Sequence, residues 1–173
     1  MVQVIILTGD RGVGKTTVCS ETISLAEAKG YVCGGILTLT RKGVRDVLDV
    51  RCGEARRLTR GEEADQAVTQ GRFRFDPKTL SWGNAVLAGA VPCDLLVIDE
   101  IGPLEVERGG GWATAFDLLR AGNFALALVV VRPELVVRTQ MRLPSSATVV
   151  LTVTQESRDR LPANLVRILA REV

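Results

Sequence analysis

The chain has 173 residues, 46% hydrophobic and 24% charged, with a net charge of +2. That size and balance suit one soluble domain over residues 1–173 with a full core. The small net charge gives no strong nucleic-acid signal, and no apolar run reaches the roughly 18–20 residues of a membrane span.

With no histidine, imidazole chemistry is excluded. The four cysteines, Cys19, Cys33, Cys52 and Cys93, form no CxxC pair, so zinc-ligand spacing is also missing. They read as buried, reduced thiols of a cytoplasmic protein. The chain enters Val4-Ile5-Ile6-Leu7 without a basic leader or cleavage site, so no signal peptide is expected.

In chain order, Val2 to Thr8 is a continuous apolar run ending in glycine, the pattern of a strand buried on both faces. Thr16 to Lys29 is helical and stops at Gly30. Tyr31 to Thr40 is a second strand. Gly43 interrupts, Val44 to Val50 alternates, and Gly53-Glu54 marks a hairpin turn. Arg56 to Asp76 is polar and charged, a candidate mobile loop or lid. Pro77 to Ala90 is a helix with Asp76 as N-cap and proline in its first turn.

Asp94 to Asp99 is a very apolar strand with an acidic end. Gly109-Gly110-Gly111 is a flexible break, followed by a helix over Trp112 to Ala121 that ends at Gly122. Phe124 to Val131 is another buried strand, and Pro133 to Thr139 a short helix. Ala147 to Val153 is the last strand, and Gln155 to Arg171 the last helix, bent near Pro162. Helices alternating with apolar strands give an α/β fold with a mainly parallel central sheet.

Gly9-Asp10-Arg11-Gly12-Val13-Gly14-Lys15-Thr16 matches G-x-x-x-x-G-K-[ST] between a strand and a helix. The glycines let the backbone close around phosphate oxygens, and the helix N-terminus directs positive partial charge at them. Lys15 carries a full charge toward the β- and γ-phosphates. The Thr16 hydroxyl is a hard oxygen ligand for Mg²⁺, with Thr17 beside it. Arg11 is either a phosphate-neutralising group or a solvated loop residue.

Leu95-Leu96-Val97-Ile98-Asp99-Glu100 has the form of a Walker B element. Asp99 is the candidate metal carboxylate, and Glu100 the group that orients or deprotonates an attacking water. Arg41, Arg45 and Arg158 are candidates to stabilise charge on a transferring phosphoryl group. Each is weak evidence in a chain with eighteen arginines and four lysines. Glu105 is a candidate to position water or bind Arg41. Trp82 and Trp112 are read as core residues before base-stacking ones.

Ile98-Asp99-Glu100-Ile101-Gly102-Pro103-Leu104-Glu105, taken with the P-loop, resembles the D-E-I-G-x-x-E segment of the small P-loop nucleoside-triphosphatases of the thermophilic type. That family includes the vertebrate cancer-related nucleoside-triphosphatase. Further echoes are Gly35-Ile36-Leu37-Thr38, Gly71-Arg72-Phe73-Arg74-Phe75-Asp76 and Thr154-Gln155-Glu156-Ser157-Arg158-Asp159. The resemblance implies a three-layer fold of the additional-glutamate division, strand order 5-1-4-3-2, with a small β-hairpin insertion. It also implies slow Mg²⁺-dependent hydrolysis of ATP, GTP and other nucleoside triphosphates.

By position, the resemblance makes Lys15 and Thr16 phosphate and metal residues, Asp99 the metal carboxylate and Glu100 the base. Leu39-Thr40-Arg41-Lys42 lacks the acid the family carries there, Pro103-Leu104 replaces a basic residue and methionine, and Ser157 replaces asparagine. These departures bear on nucleotide preference and partner surfaces. A nucleoside or nucleotide kinase and a nucleotide-dependent switch remain open as alternatives, as does a monomer against a weak oligomer.

Overall fold

The computed structural model describes residues 3–59, 68–70 and 73–173. About half of the candidate lid, 60–67 with 71–72, lies outside them, and so do Gly71 and Arg72 of the Gly71–Asp76 echo.

The chain runs β1 (Gln3–Thr8), α1 (Lys15–Glu27), β2 (Cys33–Arg41), β3 (Val44–Asp49), β4 (Ala55–Arg57), β5 (Val68–Gln70), β6 (Phe73–Phe75), α2 (Pro77–Gly89) and β7 (Cys93–Ile101). It continues with α3 (Pro103–Glu107), α4 (Ala115–Ala121), β8 (Phe124–Val131), a 3-10 turn and α5 (Val136–Gln140), β9 (Thr148–Thr152) and α6 (Leu161–Glu172). A seven-stranded sheet has the order β4-β3-β2-β7-β8-β1-β9. Its five parallel strands, numbered among themselves in chain order, stand 5-1-4-3-2 as the resemblance implies. The β3–β4 hairpin extends the edge beyond β2 in antiparallel fashion.

The central strands are apolar at every position because both faces are covered. Successive side chains point to opposite faces. Val4, Ile6, Leu96, Ile98, Ala127 and Val129 pack with Leu80 and Leu87 of α2 and Phe116 and Leu119 of α4. Ile5, Leu7, Leu95, Val97, Leu126 and Leu128 pack with Val18, Cys19 and Ile23 of α1 and Leu165 and Leu169 of α6. Each of the Val, Leu, Ile and Phe side chains among them contributes about 1.5–3 kcal/mol by leaving water. Asp76 caps α2, accepting from the Lys78 N–H at 2.9 Å. No helix among the described residues is long and apolar enough to cross a membrane.

Three local expectations shift. The glycine run 109–111 is tied down: the Asn84 amide donates to Gly111 O at 2.8 Å, and the Gly110 N–H to Leu104 O at 2.9 Å. The following helix begins at Ala115 instead of Trp112, because Glu105 takes the Trp112 N–H and Asn84 the Thr114 N–H. The last helix begins at Leu161, with Pro162 in its first turn, where a missing N–H costs nothing. Before it, Thr154 and Ser157 hold a turn: the Thr154 N–H donates to Ser157 Oγ at 2.9 Å and the Ser157 N–H to Thr154 Oγ1 at 3.2 Å.

Glu105 is the organiser of the segment after β7. Its carboxylate accepts from the Gly102 N–H and the Trp112 N–H, both at 2.8 Å. It is 6% exposed, and burial raises its pKa against those two hydrogen bonds. Trp112 is buried against Gly83 of α2.

Replacing Glu105 with alanine strands two buried N–H groups. The expected cost is about 2–3 kcal/mol, read as a fall of roughly 5–10 °C in melting temperature; an unchanged melting temperature would disprove the clamp. The thiols give a second check. Cys19, Cys33 and Cys93 are buried, and burial raises their pKa values, to about 12 for Cys33 and about 11 for Cys93. Cys52 is exposed. A thiol reagent at mildly alkaline pH should therefore modify Cys52 fast in the native protein, and the other three only on denaturation.

Candidate active site

The site lies at the carboxyl ends of the parallel strands, where open α/β sheets bind ligands. Residues 9–14 bridge β1 to α1. Gly9 has φ 137°, and a Cβ there would stand 2.5 Å from Val153 O, so only glycine lets the loop leave the sheet beside β9. Helix α1 has no acidic residue in its first turn, so its positive end faces the loop uncompensated. Lys15 Nζ donates to Gly9 O at 2.6 Å and Asp10 O at 2.8 Å. Partial burial lowers its pKa, against the raising influence of Glu100, Asp99 and Asp10.

Asp99 ends the unbroken buried run Leu95–Asp99 of β7 and is 2% exposed. Burial pushes its pKa up to about 7, while hydrogen bonds from the Thr16 hydroxyl and the Thr38 N–H pull it down. The Thr38 contact measures 3.2 Å, and the Thr38 hydroxyl also donates to Asp99 O. A buried carboxylate against a hydroxyl is a hard-oxygen pair in need of positive charge, which fits Mg²⁺. Among the described residues no group of three or more His, Cys, Asp or Glu gathers. A metal here would take its remaining ligands from phosphate and water.

Glu100 faces the same cleft. Its Oε1 accepts from Arg132 Nε at 2.7 Å, and its Oε2 stands 3.8 Å from Arg45 Nη1. The β7–β8 register shifts between Asp99 and Ile101, so the two acids depart from regular alternation. The cleft, about 780 Å³, is lined by Gly9–Gly12 and Gly14–Thr17, by Thr38–Arg41 and Arg45, by Asp99 and Glu100, and by Val130 and Arg132–Glu134. A second cavity of about 680 Å³ continues along Thr8–Val13, Pro133 and Thr152–Glu156. Both volumes suit a small-molecule ligand.

The structure thus brings Asp10, Arg11, Lys15, Thr16, Thr17, Arg41, Arg45, Asp99 and Glu100 to one cleft. Val13 lines the adjoining cavity. Arg158 packs beside the loop and lines neither cavity: a Cβ on Gly14 would meet its Cδ at 3.3 Å, and its Nε donates to Asp159 at 3.3 Å. Glu105 holds the backbone of Gly102 and Trp112, a role the sequence reading did not foresee. The Arg56 guanidinium covers the Trp82 ring at 4.6 Å, and Trp112 is core.

Arg132 is the site residue that sequence reasoning missed. A signal existed: it directly follows the buried strand β8, at the strand end where ligands bind, and Pro133 stops the strand there.

Comparison with known proteins agrees with this geometry. Residues 4–166 match the family described as NTPase. A nucleoside-triphosphatase THEP1 of Methanosarcina acetivorans is 30% identical over 175 residues, covering 98% of each chain. One from Thermofilum pendens is 30% identical over 173 residues, covering 95% of this chain and 94% of its own. Among solved structures, THEP1 of Aquifex aeolicus aligns with a TM-score of 0.75 at 20% identity, over 96% of this chain and 99% of that one. A human cancer-related nucleoside triphosphatase aligns at 0.72 and 24%, over 98% of each. The structural matches carry the fold; the sequence match over most of its length places this chain in the NTPase family.

Proposed function

We propose that the protein is a nucleoside-triphosphate phosphohydrolase that converts a nucleoside triphosphate and water to diphosphate and phosphate, acting as one domain over residues 1–173. The observation that carries this reading is the convergence of Lys15 and Thr16 with Asp99 and Glu100 in one cleft. A P-loop alone grips phosphate; a second carboxylate beside the metal-type carboxylate adds a group for water.

In this reading the backbone N–H groups of residues 9–16 and the α1 terminus hold the phosphates. Lys15 exchanges its contacts with Gly9 O and Asp10 O for phosphate oxygens. Thr16 and Asp99 hold Mg²⁺, which when bound offsets charge on the β- and γ-phosphates. Glu100 orients water for in-line attack and accepts its proton. The cleft walls are mostly backbone, threonines and charged side chains. The grip therefore falls on the phosphates common to ATP, GTP, CTP and UTP, which favours broad base specificity. Reduced, mostly buried thiols suit a cytoplasmic protein.

Phosphate release from the four triphosphates with Mg²⁺ tests the reading. Lys15→Ala should remove nucleotide binding or turnover. Glu100→Gln should bind nucleotide normally and lose on the order of 10²–10⁴ in rate. Wild-type turnover by Glu100→Gln would remove Glu100 from the chemistry. Faster transfer of the γ-phosphate to a nucleoside or nucleotide than to water would make the protein a kinase.

A further inference from the structure

Glu100 is engaged by two arginines: one of its oxygens accepts from Arg132 at 2.7 Å and the other lies 3.8 Å from Arg45, so both oxygens have a cation beside them. The two arginines come from different elements: Arg132 from the end of β8, and Arg45 from the antiparallel hairpin. Both line the cleft that holds Lys15, Thr16 and Asp99. Their side chains are 34% and 13% exposed, well sheltered for arginines in a loop and an outer strand.

Like charges also crowd here. Burial lowers the pKa of Arg45, and the charges of Arg132 and Arg11 lower it further, with Glu100 the largest opposing influence. Lys15 is repelled by Arg132 as well. Arg11, Lys15, Arg41, Arg45 and Arg132 share one cleft with the carboxylates of Asp10, Asp99, Glu100 and Glu134, and Glu100 is the acid that Arg132 and Arg45 both approach.

We propose that Arg132 and Arg45 are this chain's own catalytic arginines, stored on Glu100 while the site is empty and transferred to the γ-phosphate when a nucleoside triphosphate binds. The inference rests on the hydrolytic reading above. A γ-phosphate carries more negative charge than one carboxylate and presents paired oxygens to the planar guanidinium, so it wins the exchange. Release leaves a Glu100 oxygen to accept a proton from water. The water oxygen bonds to the γ-phosphorus, and the bond from that phosphorus to the bridging oxygen breaks. Its electrons stay on the departing diphosphate, and the arginines offset charge on the phosphoryl oxygens between. The exchange ties the freeing of the base to the presence of a γ-phosphate, so a diphosphate does not trigger it.

The test separates contact with phosphate from mere support of Glu100. Arg132→Gln, Arg132→Lys, Arg45→Gln and the double glutamine variant are compared with wild type in single-turnover hydrolysis, with circular dichroism and melting temperature as folding controls. The expected result is a kcat loss of about 10² for Arg132→Gln and on the order of 10³ for the double variant, with a smaller change in KM and partial rescue in Arg132→Lys. A folded Arg132→Gln protein that hydrolyses at the wild-type rate overturns the proposal.

The second measurement is made in the Glu100→Gln background, where Arg132 has no carboxylate to support. Binding of a non-hydrolysable triphosphate analogue should exceed that of the diphosphate by about tenfold or more. Adding Arg132→Gln should erase most of that difference. If the difference persists, Arg132 acts only through Glu100 and the proposal fails. Wild-type specific activity that rises with protein concentration would point to an arginine from a second copy, which also overturns it. Loss of the arginine effects while wild type still releases phosphate refutes the inference alone; no phosphate release by wild type refutes the hydrolytic reading with it.

Discussion

Strand β8 runs between β1 and β7, and the site depends on that placement. The phosphate loop leaves the end of β1, the acidic pair closes β7, and β8 holds the two apart while pairing with both. A residue just past β8 must therefore lie between the phosphate grip and the carboxylates. Arg132 occupies that place, and its bond to Glu100 follows from the order of strands more than from any local feature. The sheet can hold this order because each central strand is apolar on both faces and helices cover both.

The charges at the cleft are in tension. Burial raises the pKa of Asp99 to about 7 against the hydrogen bonds it accepts, and burial lowers that of Lys15. Neither shift serves stability. Both are the cost of placing ionisable groups where water is scarce, and such perturbation is common at functional sites. Fold energy is supplied elsewhere, by the two apolar layers and by clamps such as Glu105 on Gly102 and Trp112. That clamp anchors the segment after Glu100, so that a rigid frame carries the chemistry.

The pattern along the chain was enough for the elements and their type. Continuous apolar runs marked β1, β7 and β8, because only a strand covered on both faces shows no alternation. Asp76 and Pro77 marked the start of α2 through cap chemistry. The starts of α4 and α6 read too early for a different reason. Glu105, Asn84 and the Thr154–Ser157 pair take the backbone N–H groups there, and partners so distant or so local do not appear in helical periodicity. The triple glycine read as a flexible break because glycine signals freedom; a side chain 27 residues away removes it.

The sequence by itself determined the chemistry of the phosphate grip, since the P-loop's function is local: glycines, a lysine and a threonine at set spacing between a strand and a helix. It also determined that Asp99 and Glu100 end a buried strand. Only the tertiary structure decided what those acids meet. The order 5-1-4-3-2 came from family resemblance, because equally apolar parallel strands carry no mark of which neighbours which. That order and the appended hairpin bring Arg132 and Arg45 to Glu100, and leave Arg158 beside Gly14, apart from the acids. Among eighteen arginines, side-chain type carried no information. Position in space selects the few that matter, because electrostatic work falls off with distance and rises with burial.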